Sequence, residues 1–304
     1  MRTLVSGASG FIGRALVSRL GADGHDVARV VRRDPGAGEV LLDVGARRVD
    51  ASRLPAATLD GFDAVFHLMG DPITPTRWGP IKREAIRASR VSSTYALARA
   101  LGALDAPPAV LVCASAIGVY GDRGEEVLDE ESAGGTGFLA EVCRAWEAAA
   151  AAARDRGIRV VHARLGIVLG RGGGYLAGQL PLFRLGLGAR LGNGRQWQSW
   201  IALDDAVGAL IHAATDEALS GPCNIVAPEP VRNATLTDAI AASVHRRARL
   251  AVPAWALRLA LGATAHEIAL TSQRVVPARL SATGFVHRFA DLSSALARAV
   301  GAGP

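Results

Sequence analysis

The chain has 304 residues, a formal net charge of +6 and an apolar fraction of 50%, so it is long enough to bury a full core. Of its 34 basic residues, 33 are arginines and one, Lys82, is a lysine; they are scattered rather than gathered in blocks, so we expect no nucleic-acid partner. The three cysteines lie far apart, without CxxC spacing or nearby histidine, which predicts neither a disulfide framework nor a metal site.

The sequence also bears on where the protein works. No uncharged run reaches transmembrane length without a glycine or proline, and three glycines near the N-terminus argue against a hydrophobic targeting core. We therefore expect a cytoplasmic protein with no membrane partner.

Short apolar runs alternate with helical patterns over the first two thirds of the chain, which is typical of βαβ units and a parallel sheet. In chain order, the patterns predict a strand at 3–7, a helix at 11–22, strands at 25–31 and 63–69, a helix at 79–103, a strand at 109–115, a helix from 137 and a strand at 157–165. After Gly170 the chain becomes rich in glycine, and a helical pattern follows at 202–214.

These elements predict a Rossmann-type α/β fold, a doubly wound parallel sheet with a smaller C-terminal substrate lobe. The dinucleotide-binding domain would comprise 1–170, with 203–227 returning to it. The lobe would comprise 171–202 and 228–304, with helices at 235–247, 253–262 and near 291–299, and we expect it to lack a parallel sheet of its own.

The segment GASGFIG lies between the first strand and the first helix and carries Gly7, Gly10 and Gly13. Glycines are needed there because the chain turns tightly, a pyrophosphate approaches the backbone, and the helix packs close to the strand. In this strand, loop and helix context the spacing predicts dinucleotide binding.

The residues that end the second strand bear on which dinucleotide is bound. Arg32 and Arg33 suit the 2′-phosphate of NADP(H), whereas an acidic residue would bind the ribose hydroxyls of NAD. Asp34 is the competing candidate, but it precedes Pro35 and fits a turn. We predict a preference for NADP(H).

With ASAIGVYGDRG at 114–124, the sequence resembles the extended short-chain dehydrogenases/reductases of the NAD-dependent epimerase/dehydratase type. More narrowly, it resembles an atypical subgroup of nucleoside-diphosphate-sugar epimerase-like proteins. The resemblance runs the length of the chain through GASGFIG, HLMGDPI, SRVSST, FLAEVCRAWE, RLGIVLGRGGG, GNGRQWQSWI and SQRVVPARLSATGF.

The resemblance implies cofactor contacts along the chain. They are Gly7, Gly10, Phe11, Ile12 and Gly13 at the pyrophosphate, Arg32 at the adenosine phosphate, Leu68 and Met69 after the fourth strand, Arg90, and Ile167 near the nicotinamide. Arg90 stands where ordinary members have asparagine, and the alternative is a solvated helix arginine.

The usual catalytic motif of the superfamily is missing. Its Tyr-x-x-x-Lys supplies a phenol for proton transfer and a lysine that lowers the pKa of that phenol, but GFLAEVCRAWE at 137–147 puts Leu139 and Cys143 at the two positions. Our candidates for a replacement relay are Tyr120 and Ser115, at the end of the fifth predicted strand. The alternative is that Tyr120 packs against its loop and Ser115 caps backbone.

Four side chains are candidates for a substrate wall over the nicotinamide: Arg77, Trp78, Gln196 and Trp200. Such a wall suits an anionic or planar substrate, although tryptophans are often core residues. Three functions stay open: an NADP(H)-dependent oxidoreductase or epimerase-like enzyme with a non-standard proton relay, a conventional nucleotide-sugar epimerase, and a non-catalytic NADPH-binding sensor or interaction protein. A homodimer is compatible with each.

Overall fold

A computed structural model describes residues 1–31, 36, 38–41, 44–45, 48–49 and 58–301. The strands are β1 (Arg2–Ser6), β2 (Asp26–Val31), β3 (Glu39–Leu41), β4 (Val44–Gly45), β5 (Arg48–Val49), β6 (Ala64–His67), β7 (Val110–Ala116), β8 (Val127–Leu128), β9 (Arg159–Leu165), β10 (Ile167–Leu169), β11 (Ala189–Leu191), β12 (Trp197–Gln198), β13 (Trp200–Ala202), β14 (Gly221–Ile225), β15 (Val231–Arg232), β16 (Leu250–Val252) and β17 (Arg274–Val275).

The helices follow the strands in the alternation that the sequence predicts. They are α1 (Phe11–Ala22), α2 (Pro80–Gly102), α3 (Phe138–Ala148), α4 (Ala151–Arg154), α5 (Gly174–Arg184), α6 (Leu203–Thr215), α7 (Asn233–Ser243), α8 (Ala254–Leu261), α9 (Ala278–Ala282) and α10 (Leu292–Val300). A 3₁₀ turn spans Ile117–Tyr120, and a π-helical turn spans His266–Leu270.

Seven parallel strands form the main sheet in the order β14-β9-β7-β6-β1-β2-β3. The strand order reverses between β1 and β6, and in open α/β sheets the crevice at such a reversal is where ligands bind. The Rossmann-type α/β fold predicted from the sequence is confirmed.

Helices cover both faces of this sheet, which explains why the central strands β1, β6 and β7 are buried along almost their whole length. On one face, Leu16 and Leu20 of α1 join Leu210 of α6 in a buried cluster. On the other face, Leu97 and Leu101 of α2 pack in a second cluster with α4. The carboxyl ends of β1, β6, β7 and β9 therefore open onto one edge, between the two helical layers.

A third buried cluster holds the smaller lobe together. It combines residues from β10, β13, α5, α7 and α10, including Trp200, Leu236 and Leu296. The region 203–227 contributes α6 and β14 to the main domain. The expectation that the lobe lacks parallel pairing is wrong, because β11 pairs with β16 in a parallel two-stranded sheet; the glycine-rich sequence around β11 hid this short strand. A second parallel pair joins β10, at the end of the main domain, to β13 of the lobe.

In the part of the chain that the structure describes, no helix combines the length and the apolar character that crossing a bilayer requires.

Candidate functional site

The glycine loop connects β1 to α1 at the strand reversal. Gly7 adopts a φ of +71°, and a Cβ there would lie 2.7 Å from the backbone carbonyl of Leu68. A Cβ on Gly13 would lie 2.1 Å from the Gly7 oxygen. Only glycine fits at these two positions, since any side chain would push α1 or the segment after β6 away from the loop.

The N-terminus of α1 is open to an anion. Gly10 is its N-cap without a side-chain cap, and the first turn contains no acidic residue. The first amide groups of a helix that lack capping partners form a binding site for a phosphate group. The loop therefore fits the pyrophosphate of a dinucleotide in shape and in electrostatics.

Phe11 has a further role that explains a second glycine run. A Cβ on Gly173 would approach the Phe11 ring to 2.3 Å, and one on Gly170 or Gly174 would approach it to 2.9 and 2.7 Å. The ring of Phe11 therefore packs under the segment that follows β10, and the sequence GRGGG is needed to admit it.

Leu68 and Met69, which the resemblance assigns to the cofactor, lie directly beyond β6 and against the glycine loop. Leu68 donates a backbone hydrogen bond of 3.2 Å to Ser6, and both side chains are partly buried. Ile167 begins β10 and is also partly buried. The three residues lie at the carboxyl edge of the sheet, as their proposed roles require.

His67 lies beneath this edge and joins the end of β1 to α2. Its Nδ1 is 2.6 Å from the Ser6 hydroxyl and its Nε2 is 3.2 Å from the Ser93 hydroxyl. Since Ser93 donates its proton to the Ser89 carbonyl at 2.6 Å, Nε2 carries the histidine proton and Nδ1 accepts from Ser6. Complete burial lowers the pKa of His67 to about 4, so it stays neutral near pH 7.

Arg90 projects from α2 onto the segment after β6. Its Nη1 donates to the carbonyls of Asp71 and Ile86 at 3.0 and 3.2 Å, and its guanidinium lies 5.2 Å from the ring of Trp146. A Cβ on Gly70 would lie 3.1 Å from the guanidinium carbon. Arg90 is therefore held in place rather than solvated, while its Nη2 donates no hydrogen bond to the described residues.

The positions of the missing catalytic motif lie on α3, which begins at Phe138. The carboxylate of Glu267 accepts hydrogen bonds from the amides of Phe138 and Leu139 at 2.9 and 3.1 Å, so the C-terminal lobe caps this helix. Cys143 is buried, and its burial, reinforced by the charge of Glu147, raises the pKa of its thiol to about 12. Neither Leu139 nor Cys143 can exchange a proton near neutral pH.

Ser115 and Tyr120 belong to a buried polar network behind the crevice. Ser115 donates to Glu147 at 2.7 Å, and Arg164 donates to both carboxylate oxygens of Glu147 and, at 2.9 Å, to the Tyr120 hydroxyl. The Tyr120 hydroxyl also lies 2.8 Å from the amide oxygen of Asn224. Burial, the largest effect, keeps the pKa of Tyr120 above its ordinary value despite Arg164.

The burial of Tyr120 and Ser115 differs from the open position that a proton relay would require. Tyr120 is fully buried and Ser115 is 2% exposed, so neither side chain opens onto the crevice. Their catalytic role stays a prediction, and the geometry favours the alternative in which they support the fold.

Lys82 and Asp71 form an ion pair that the sequence did not reveal as a site. The lysine also donates to the Pro72 carbonyl at 2.9 Å, and both side chains are about one third exposed, at 28% and 32%. Asp71 is tied to α2 through its amide, which donates to Ser89 at 2.9 Å. The signal in the sequence was that the only lysine of the chain lies in the first turn of the helix that follows β6.

The expected substrate wall does not form, because its four members lie in different surroundings. Trp78 packs with Ile86 and Val142 in a small core, and Trp200 is buried in the lobe. The Gln196 amide donates to the carbonyls of Leu191 and Ala269, and Arg77 donates to the carbonyl of Leu259 at 2.7 Å. Trp200 and Gln196 hold the lobe together and Arg77 attaches it to the main domain, whereas Trp78 packs within the main domain.

Arg32 and Arg33 lie outside the described residues, so the structure does not locate the site for the 2′-phosphate.

Comparison with known proteins assigns the family. The family model for the NAD dependent epimerase/dehydratase family matches residues 3–226. The chain belongs to this family. Residues 252–299 match a second model, a domain of unknown function named DUF1731.

Similar proteins support the same assignment along the whole chain. An epimerase family protein from Mycobacterium bovis, Mb2239, is 42% identical over 292 residues, covering 96% of this chain and 95% of its own. The human epimerase family protein SDR39U1 is 36% identical over 299 residues, covering 97% and 98%. The recognition of an extended short-chain dehydrogenase/reductase of the epimerase type is confirmed.

Two solved structures share the fold of this chain. The crystal structure of human SDR39U1 (isoform 2) with NADPH superposes with a TM-score of 0.90 at 35% identity and 99% coverage of both chains. A nucleoside-diphosphate sugar epimerase from Corynebacterium glutamicum superposes with a TM-score of 0.81 at 37% identity, and this chain spans 58% of that longer chain.

Proposed function

We propose that the protein binds NADP(H) at the carboxyl edge of its sheet and is an NADP(H)-dependent oxidoreductase or epimerase-like enzyme acting on a small molecule. The observation that carries the proposal is the glycine loop. Gly7 and Gly13 admit no Cβ, and the uncapped N-terminus of α1 faces the strand reversal. The NADPH in the structure of human SDR39U1, which shares this fold, supports the choice of cofactor.

The cofactor would be held by contacts of three kinds. The amides at the start of α1 would bind the pyrophosphate, Leu68 and Met69 would line the cofactor, and the unbonded Nη2 of Arg90 would donate to a phosphate or ribose oxygen. Arg32 and Arg33 remain the proposed partners of the 2′-phosphate. NADPH, when bound, supplies a hydride, so the residues of this chain need to orient the substrate and deliver a proton.

For the proton we propose Lys82 instead of the sequence candidates Tyr120 and Ser115. Lys82 is partly exposed at the carboxyl edge, and its ammonium is held by Asp71 and the Pro72 carbonyl. An ammonium group at this edge could protonate a substrate oxygen and be recharged from solvent. Leu139 and Cys143 make the usual tyrosine and lysine route impossible.

The absence of that route also supports a second candidate, a protein that binds NADPH without turning it over. The two candidates differ in one measurement, the absorbance of NADPH incubated with the purified protein and a panel of aldehydes, ketones, quinones and enones. Consumption of NADPH that depends on both protein and carbonyl compound supports the enzyme. Tight NADPH binding without consumption across the panel supports the non-catalytic protein.

A conventional nucleotide-sugar epimerase is the least supported of the three functions, because such a reaction needs the missing proton relay. UDP-sugars in the same assay test it: interconversion of a UDP-sugar with its epimer would restore this candidate.

A further inference from the structure

One region of the surface is unusually apolar. Of the twelve large hydrophobic residues that are exposed in the described chain, six fall in two short segments: Leu182, Leu185, Leu187, Leu250, Trp255 and Leu259, each between 45% and 73% exposed. Single exposed apolar residues are ordinary, whereas a concentration of them marks an interaction surface.

The fold brings the two segments together. The end of α5 is joined to the loop before β16 by a 3.0 Å hydrogen bond from Arg246 Nε to the Arg184 carbonyl. The next residues form the parallel pair of β11 and β16, with Ala189 opposite Leu250. Helix α8 begins two residues after β16, and a Cβ on Gly192, just after β11, would lie 4.0 Å from the Cβ of Ala254. The start of α8 therefore lies next to the end of the strand pair.

The same two segments are rich in arginine. It carries six exposed arginines: Arg184, Arg190, Arg246, Arg247, Arg249 and Arg258. The stretches of chain that supply them, 156–203 and 239–266, contain no aspartate or glutamate. None of the six arginines forms an ion pair with a carboxylate of the described residues.

Helix α8 leaves two large apolar side chains exposed to solvent, Trp255 at 67% and Leu259 at 71%. None of its residues is buried, and Trp255 and Leu259, four residues apart, share one side of the helix. The helix is anchored through its backbone, since the Leu259 carbonyl accepts a hydrogen bond from Arg77 at 2.7 Å. This anchor leaves the tryptophan and leucine side chains free for a partner.

The arginine–leucine face consists of the six exposed apolar residues and the six exposed arginines listed above. We propose that this face docks reversibly on a bilayer that contains anionic lipids. Arginines around exposed tryptophan and leucine match the negative headgroups and the acyl boundary of such a bilayer. A second copy of the chain is a poor partner for the face, because a two-fold contact would bring like charges together without any carboxylate between them.

The sequence alone predicts no membrane partner. A spanning segment and a contiguous basic block are both missing, and the face becomes visible only when α5, the β11 and β16 pair and α8 are assembled. Docking on a surface requires neither a spanning helix nor a basic block. The membrane proposal does not depend on the proposed enzymatic function.

The test is co-sedimentation of the full chain with vesicles. We expect binding to vesicles of equal parts phosphatidylglycerol and phosphatidylcholine at low salt, release at high salt, and little binding to pure phosphatidylcholine. The triple variant Arg246→Gln/Arg247→Gln/Arg249→Gln should bind at least about tenfold more weakly, as should Trp255→Ser/Leu259→Ser. Val286→Ser and Arg99→Gln are matched controls, since both residues are exposed elsewhere, and they should leave binding unchanged.

Three results would overturn the proposal: no binding of the unmodified chain to the anionic vesicles, equal binding to neutral vesicles, or undiminished binding by both multiple variants. Sedimentation velocity of the same variants tests whether the face binds a second copy of the chain instead. A dimer of the unmodified chain that Trp255→Ser/Leu259→Ser converts to a monomer, without vesicle binding, would assign the face to self-association and overturn the membrane proposal. NADPH titration of each variant checks the fold independently.

Discussion

Glu147 and Arg164 form a bidentate ion pair inside the protein. Arg164 Nε lies 2.9 Å from Glu147 Oε1, and Nη2 lies 3.0 Å from Oε2. Both side chains are largely buried, at 10% and 14% exposed. The pair joins α3 to β9 directly behind the crevice, and it organises Ser115 on one side and Tyr120 on the other.

Removal of one member of this pair should destabilise the protein strongly. We expect Glu147→Ala to lower the free energy of unfolding by about 3 kcal/mol, because it leaves a buried guanidinium without its partner. Urea denaturation measures the change. Glu125→Ala is the control, since its pair with Arg232 is solvent-exposed and its loss should matter much less; equal effects of the two substitutions would contradict this account.

The same pair predicts how stability depends on pH. Burial alone would raise the pKa of Glu147, but the hydrogen bonds and charge of Arg164 outweigh it and hold the pKa below its ordinary value of 4.5. A carboxyl group of this kind stabilises the fold above that value, and the stabilisation is lost as the pH falls through the folded-state pKa. The stability difference between the unmodified chain and Glu147→Gln should therefore shrink in acid. A difference that stays constant from neutral pH into the acid range would show that Glu147 contributes no ionisation-linked stability.

Tyr120→Phe and Ser115→Ala separate support of the fold from catalysis. Each removes a buried hydrogen bond to a charged group, so we expect a loss of about 1–3 kcal/mol in unfolding free energy, with NADPH turnover retained. Lys82→Met should instead abolish turnover with little change in stability, and Lys82→Arg, which keeps the charge, should not restore proton delivery. Loss of turnover in Tyr120→Phe at unchanged stability would return that residue to the catalytic role that the sequence suggested.

Asp205 attaches the C-terminal segment to α6. Its two carboxylate oxygens accept from the amides of Arg288 and Phe289 at 2.8 and 2.9 Å, and the residue is 2% exposed. Asp205→Asn replaces one acceptor by a donor, so we expect a loss of about 1–3 kcal/mol and faster proteolytic cleavage near Val286. The neighbouring Asp204→Asn, which affects a partly exposed pair with Arg298, should change the cleavage rate little. Equal rates in the two variants would count against the attachment.

Much of the fold could be predicted because local patterns and tertiary packing agree. The helix 11–22 matches α1 residue for residue, and the apolar runs at 109–115 and 157–165 became β7 and β9 with shifts of one or two residues at their ends. Short strands such as β11 and β13 escaped prediction, because two or three residues within a glycine-rich stretch carry no periodicity.

The candidate site was predictable only in part. The glycine loop has its own sequence signature, whereas the roles of Tyr120 and Trp200 depend on burial, which a single sequence does not reveal. Lys82 is not part of a Tyr-x-x-x-Lys motif, because Trp78 stands four residues before it. It is the fold that places it beside Asp71, on the segment that leaves β6 at the edge of the sheet.

The central claim is that the carboxyl edge of the sheet binds NADP(H), and calorimetric titration of the purified chain with NADPH tests it most directly. We predict one molecule of NADPH bound per chain and weaker binding of NADH. In Gly10→Ala, a Cβ would lie 3.1 Å from the Gly7 oxygen at the start of α1, whereas a Cβ on Gly21 of the same helix would meet nothing within 4 Å. Gly10→Ala should therefore weaken binding at least about tenfold, and Gly21→Ala should not. Absence of NADPH binding by the unmodified chain, or equal affinity in both variants, would contradict the claim.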